Sequence, residues 1–277
     1  MVFGKVAIFV AYTRPIAVRA TMSEGYVKTT VKDGIASVSF HHPRSNSLPG
    51  DILHRMAEAI DQAGADDSVR VIVLRSEGEK AFCAGASFDE LLAIDSEAKG
   101  TAFFSGFAQV INAIRRSRCF VIGRVHARAV GGGVGLAAAC DITYAHESAS
   151  ARLSELAIGI GPFVVGPAVE RRMGNAAFSA LAITPDLWRD ADWCRRHGLY
   201  AEVFALHAEL DNAVDQHAHR LASCGSEAMA ELKRVIWRGT DDWDDLLAQR
   251  AMISGRLVLS GFTGEAIAAF KERSAGR

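Results

Sequence analysis

The sequence predicts an α/β core followed by a largely helical C-terminal part. Three observations lead there. Short apolar runs at Val69–Leu74 and Phe120–Val125 read as strands buried on both faces. Strand patterns alternate with helical ones through the first two thirds of the chain, as crossover-connected parallel strands do. From Pro167 onward the pattern is almost wholly helical. The chain has 277 residues, 49% of them apolar and 23% charged, so it can bury a sizeable core without metal or disulfide help. No repeat, low-complexity tract or Gly/Ser linker interrupts it.

The elements follow in order. Tyr26–Lys32 and Ile35–Phe40 are β-rich runs joined by Asp33-Gly34, a hairpin signal. Pro43–Gly50 reads as a loop. Asp51 is placed to cap a helix to about Ala63, with Ile52, Leu53, Met56 and Ile60 on helical spacing. Phe82–Ser87 is a turn of small residues, and Ala102–Arg115 is helical. Gly131-Gly132-Gly133 opens a helix to about Cys140, and Ile142–Ala145 is a further strand. The expected organisation is an extension over 1–21, disordered and without a folded role, a core over 22–195 and a helical region over 196–277. The apolar run Val6–Tyr12 is too short to span a bilayer, which takes roughly 20 residues. A targeting segment is the alternative reading of that stretch.

Composition excludes several classes. The formal net charge is −1, so there is no basic excess to hold nucleic acid. The five cysteines are widely spaced with no C-x-x-C pair, which fits reduced thiols in a cytoplasmic protein. No Cys/His spacing suits zinc, and His41-His42 is the only adjacent histidine pair, so no metal is expected. The dinucleotide G-x-G-x-x-G, the Walker motif and the nucleophile elbow G-x-S-x-G are all missing.

Two glycine turns carry the chemical information. Ala81-Phe82-Cys83-Ala84-Gly85-Ala86-Ser87-Phe88 lies between a strand and a helix starting near Asp89. Ala129-Val130-Gly131-Gly132-Gly133-Val134-Gly135-Leu136 does the same one unit later. Small residues let a ligand approach the backbone, and a helix N-terminus offers unpaired N–H groups. Brought together, such turns can aim two donors at one carbonyl oxygen. Each alone also fits tight helix–sheet packing.

These two segments, their spacing and the P-x-x-N-S-L loop at Pro43–Leu48 resemble the crotonase superfamily of enoyl-CoA hydratases and isomerases, in matching order from about Tyr26 to Arg273. The resemblance implies a crotonase-like ββα spiral core with a helical C-terminal region, assembled as a homotrimer or homohexamer. It implies an acyl-CoA substrate, with coenzyme A part of that substrate and no separate cofactor. The thioester enolate oxygen would be held by the N–H groups of Ala86 and Gly132, with Ala84, Gly85 and Ser87 along the thioester and pantetheine.

Carboxylates then separate the reactions. Hydratases of the family have two glutamates; this chain has Gly135 at the first position and Glu155 at the second. One carboxylate suffices as base and then acid for 3,2-isomerisation, if an apolar wall raises its pKa. Leu153, Leu156, Ile160, Phe163, Val164 and Val165 are the expected wall. Phe163 replaces the glycine that helps hold water in hydratases and resembles the mitochondrial isomerase. Asp89 and Glu90 are candidates for a second acid. Arg171-Arg172 and Arg195-Arg196 read as salt-bridging residues that could alternatively face CoA phosphates. The alternatives are hydration of a 2-enoyl-CoA, including a branched one, by Glu155 alone and a non-catalytic acyl-CoA-binding protein.

Overall fold

The computed structural model describes residues 25–275, so the expectation for 1–21 lies outside the described residues. The chain winds as successive coils. Each coil lays one strand in a large sheet, steps to a short strand, and returns through a helix. A hairpin begins it: β1 (Tyr26–Lys32) and β2 (Ile35–His41), with Asp33 and Gly34 both at positive φ, +52° and +76°. That is the two-residue turn the Asp-Gly pair predicts. Then come β3 (Ser47–Leu48) and α1 (Gly50–Ala65). The second coil is β4 (Val71–Ser76), β5 (Ala81–Cys83), β6 (Gly85–Ala86), α2 (Phe88–Ala93) and α3 (Glu97–Arg116). The third is β7 (Phe120–Val125), β8 (Arg128–Val130) and α4 (Gly132–Ala139). The fourth is β9 (Ile142–His146), β10 (Ser150–Arg152), a 3₁₀ turn (Glu155–Ile158) and α5 (Gly166–Ala182). The chain closes with β11 (Arg189–Asp190), α6 (Ala191–Arg196), β12 (Glu202–Phe204), α7 (His207–Ala222), α8 (Ser226–Ile236), α9 (Trp243–Leu257) and α10 (Gly261–Ala275).

The large sheet has the order β1-β2-β4-β7-β9-β12, parallel except for the hairpin. Its side chains alternate by face. Ile72 and Leu74 join the main core under α1 and α3, while Val71, Val73 and Ile122 pack against Leu210 and Val214 of α7. Both faces are covered at β4 and β7, which is why those two strands read as continuous apolar runs, whereas β1 at the edge is largely exposed. A buried ion pair pins α8 to this sheet: Lys233 Nζ donates to Cys119 O at 2.7 Å and to Asp141 Oδ2 at 2.9 Å. Trp237 Nε1 donates to the other Asp141 oxygen at 2.7 Å.

Three sequence expectations change. Helix α1 starts at Gly50 with Pro49 at its cap, so Asp51 sits inside the first turn, where it meets Arg55 at 3.4 Å. Helix α3 starts at Glu97 rather than Ala102, capped by Ser96. Gly100, a poor helix former, is used there because α9 crosses it; a Cβ would lie 2.8 Å from Gly255 Cα. Past Pro167, β11 and β12 add strands to both sheets, including residues beyond 195.

Candidate active site

The second sheet has the order β11-β10-β8-β5, and β5, β8 and β10 are parallel neighbours from three consecutive coils. Cys83 pairs with Ala129, and Ala151 also pairs with Ala129. Strands in such a sheet lie about 4.8 Å apart. The turns that leave their C-terminal ends are therefore neighbours, although 69 residues separate Ala86 from Glu155 in the chain (155 − 86 = 69). Those turns open on a cavity of about 720 Å³.

The middle turn explains its glycines. Gly131 has φ +53° and ψ −117°, a conformation that L side chains rarely adopt. Gly132 and Gly133 start α4, so their N–H groups have no intrahelical acceptor. A Cβ on Gly132 would stand 2.1 Å from the Phe107 ring, and one on Gly133 2.7 Å from Cys83. Gly135 lies one turn further in. A Cβ there would stand 2.4 Å from Val165 Cγ1 and 2.5 Å from Val165 Cβ. Val165 thus fills the space next to Gly135.

Glu155 opens the 3₁₀ turn that follows β10, beside the middle turn. Its Oε1 would be 2.8 Å from a Cβ on Gly131, so the carboxyl sits over that glycine. Its Oε2 is buried and has no hydrogen-bond partner. Burial pushes its pKa up from 4.5 to about 7, against a smaller downward pull from its own backbone N–H and from Arg152. The wall around it is apolar as expected at Phe163, Val164 and Val165, and Phe104, Phe107 and Ile158 add to it. Leu156 does not contribute: it is 48% exposed. Leu153 and Ile160 are buried in the core and do not line the cavity. The C-terminal helices close the cavity, with Ser254 of α9 and Ala266 of α10 on its wall.

Of the residues singled out in the sequence, Ala84, Gly85, Ala86, Gly132, Glu155 and Phe163 line this one cavity. Ser87 does not. Its hydroxyl caps α2, accepting from Glu90 N at 3.4 Å, and its own N–H bonds to Leu48 O. Asp89 and Glu90 are also elsewhere. Asp89 pairs with Arg44, and Glu90 Oε2 accepts from Gly50 N at 2.8 Å. Arg195 and Arg196 pair with Asp192, while Arg172 donates to Ala138 O and Cys140 O at the end of α4. Arg152 and Asp186 line the cavity and were not foreseen. Arg152 ends a three-residue strand, too short to leave a period, and Asp186 sits in a loop. Among the described residues no cluster of three or more His, Cys, Asp or Glu could hold a metal, and no helix is long and apolar enough to cross a membrane. All five cysteines are free, and four are buried.

A spiral of strand–strand–helix coils, with glycine turns meeting beside a buried carboxyl, defines this chain as a member of the crotonase superfamily. Within it, the chain belongs to the enoyl-CoA hydratase/isomerase family, whose model matches residues 30–275. It is 32% identical over 235 residues to methylglutaconyl-CoA hydratase, mitochondrial, of Rattus norvegicus, covering 82% of this chain and 73% of that protein. It is 31% identical over 140 residues to a probable enoyl-CoA hydratase of Bacillus subtilis, a match spanning about half of each chain, 50% and 54%. The crystal structure of an enoyl-CoA hydratase from Bacillus halodurans has the same fold, with a TM-score of 0.81 at 20% identity over 88% of this chain and 99% of that one.

Proposed function

We propose that the protein is an enzyme that moves the double bond of a 3-enoyl-CoA to the 2-position. The observation that carries this is the packing of Val165 against Gly135, which leaves Glu155 as the carboxyl beside the glycine turn. Glu155 as carboxylate takes a proton from C2 of the substrate. The resulting electron pair spreads over the thioester oxygen and C4. Backbone N–H groups of Ala86 and Gly132 hold that oxygen. Protonated Glu155 then returns the proton to C4, and the 2-enoyl-CoA leaves with no net gain or loss of atoms. A pKa of about 7 suits both halves, since the group must lose and regain one proton near neutral pH. Phe163 fills space that a reacting water would need. Coenzyme A enters as part of the substrate.

Hydration is the second reading. Asp186 on the cavity wall could serve as the second acid. The rat relative's name also describes a hydratase. One incubation separates them: 3-enoyl- and 2-enoyl-CoA substrates of several chain lengths, read by mass spectrometry in ordinary and deuterated water. A product of unchanged mass in ordinary water, with the double bond moved, supports isomerisation. A gain of one water with no isomerisation overturns it for hydration. No turnover, with acyl-CoA still bound, leaves a binding protein. Glu155→Gln is expected to lower isomerisation by about 10³-fold while acyl-CoA still binds. We also propose a homotrimer or homohexamer in the cytoplasm. Leu232, Val235 and Ile236 of α8, Met252 of α9 and Phe262 of α10 are exposed apolar side chains suited to subunit contacts, which sedimentation equilibrium would test.

A further inference from the structure

We infer that Arg152 selects acyl-CoA thioesters whose acyl chain carries a carboxylate of its own. This rests on the acyl-CoA reading above. Arg152 lines the same cavity as Glu155 and the Gly131–Gly132 turn. Among the described residues no carboxylate oxygen lies within 4.0 Å of its guanidinium, and its Nε is buried with no hydrogen-bond partner. It is nevertheless held in place. Its Cζ lies 4.4 Å from the centroid of the Trp188 ring, which Arg128 also approaches, at 5.4 Å.

A guanidinium held over a ring face spends none of its N–H donors on that contact, so the donors that reach the cavity remain available to a carboxylate. A partly desolvated cation without a partner is costly, and an arriving anion relieves that cost. Asp186 and Glu155 act on Arg152 through space, but beyond ion-pair distance.

Position distinguishes the two anions an acyl-CoA can offer. Arg152 O accepts the Gly131 N–H at 2.8 Å, and Glu155 follows three residues later. Arg152 therefore lines the cavity at the turn that carries Glu155, the end where the thioester is proposed to sit. The CoA phosphates are a whole pantetheine arm from the thioester. The carboxylate at the end of a short acyl chain is the anion within reach.

The test uses saturated ligands and the full-length protein, so it needs no turnover. Dissociation constants are measured for the pairs succinyl- and butyryl-CoA, glutaryl- and pentanoyl-CoA, and adipoyl- and hexanoyl-CoA. In at least one pair the wild type should bind the carboxylated member about tenfold or more tightly. Arg152→Gln should bring that ratio to near one, with Arg152→Lys in between. Equal binding within every pair by the wild type overturns the inference, whether or not the variants fold. So does a preference that survives Arg152→Gln, or an equal loss for both members, which would assign Arg152 to the CoA phosphates. A change of oligomeric state in Arg152→Gln with the preference intact would give the residue to a subunit contact and overturn it as well. Binding of both members without discrimination leaves the acyl-CoA reading standing; binding of neither overturns both.

Discussion

The two sheets of this molecule are built from the same coils and serve different ends. In the large sheet, the central strands β4 and β7 are covered on both faces, and the buried ion pair beside them is fully partnered: Asp141 accepts from Lys233, Trp237 and the backbone of Val121. In the small sheet, strands of two or three residues end at an unbonded carboxyl oxygen, an unbonded guanidine nitrogen and a run of glycines. The first arrangement pairs its buried ions with each other. The second leaves polar groups unsatisfied where a substrate could satisfy them. Stability and chemistry are thus separated in space, and substitutions in the two sheets should have opposite signatures.

The largest effect should come from forcing α4, which leaves the small sheet, to accept a second carboxylate. In Gly135→Glu, the new Cβ would overlap Val165 at 2.4 Å, and a charge would enter an apolar wall. We expect a loss of more than about 4 kcal/mol, read by denaturant titration. Gly135→Glu with Val165→Gly should recover much of that stability and gain hydration of 2-enoyl-CoA. A single variant as stable as wild type would break the comparison at its central point.

Next is the large sheet. Lys233 and Asp141 form their ion pair with side chains only 3% and 5% exposed. Lys233→Met leaves Asp141 buried without its cation and should cost about 3–5 kcal/mol. The kcat/KM of the folded fraction should stay within about twofold, because the pair does not line the cavity. A large kinetic defect at full occupancy of the fold would show that the two sheets are not separable.

Glu155→Gln should do the reverse. The folded-state pKa of Glu155 is raised from 4.5 to about 7. Between those values the unfolded chain has released a proton that the folded protein still holds, so stability falls as pH rises through the window. The penalty is absent below the window and complete above it. The variant should therefore gain on the wild type by about 3 kcal/mol between pH 4 and pH 8 while losing activity. Thermal melts at a series of pH values would read this. A difference that stays flat with pH would mean that Glu155 is ionised and solvated.

What the sequence made legible follows the same division. The large sheet announced itself through Val69–Leu74 and Phe120–Val125, whose length and apolarity exceed what a turn carries. The Asp33-Gly34 hairpin was legible because its backbone needs two positive φ values. The small sheet was not: Phe82–Ser87 reads as a turn, and Ser150–Arg152 carries no signal of its own, because three residues cannot display a period of two. Its glycines were legible as glycines, but their reasons were not, since Phe107, Cys83 and Val165 press on them from distant parts of the chain. Placing Glu155 beside Gly131 required the resemblance to a known family. Arg152 and Asp186 had neither a period nor a motif to mark them.

The smallest effect tests a residue near the boundary. Asp89 opens α2, just after the strand that carries Ala86, and from sequence it is a plausible second acid. The fold turns it outward onto Arg44, with the two side chains 58% and 65% exposed. An exposed pair of this kind contributes at most about 1 kcal/mol, because water and salt screen it and both side chains lose rotamers to hold it. Removing the charge also gives up a small favourable term at a helix N-terminus, on the order of 0.5 kcal/mol. Asp89→Asn should therefore lower stability by about 1 kcal/mol or less, by an amount that shrinks further in high salt. Isomerisation should be unchanged within about twofold over the pH range where Glu155 titrates. A tenfold loss of turnover without loss of stability would instead place a proton-transferring group on the outer side of the first glycine turn. The proton transfer would then no longer belong to Glu155 alone.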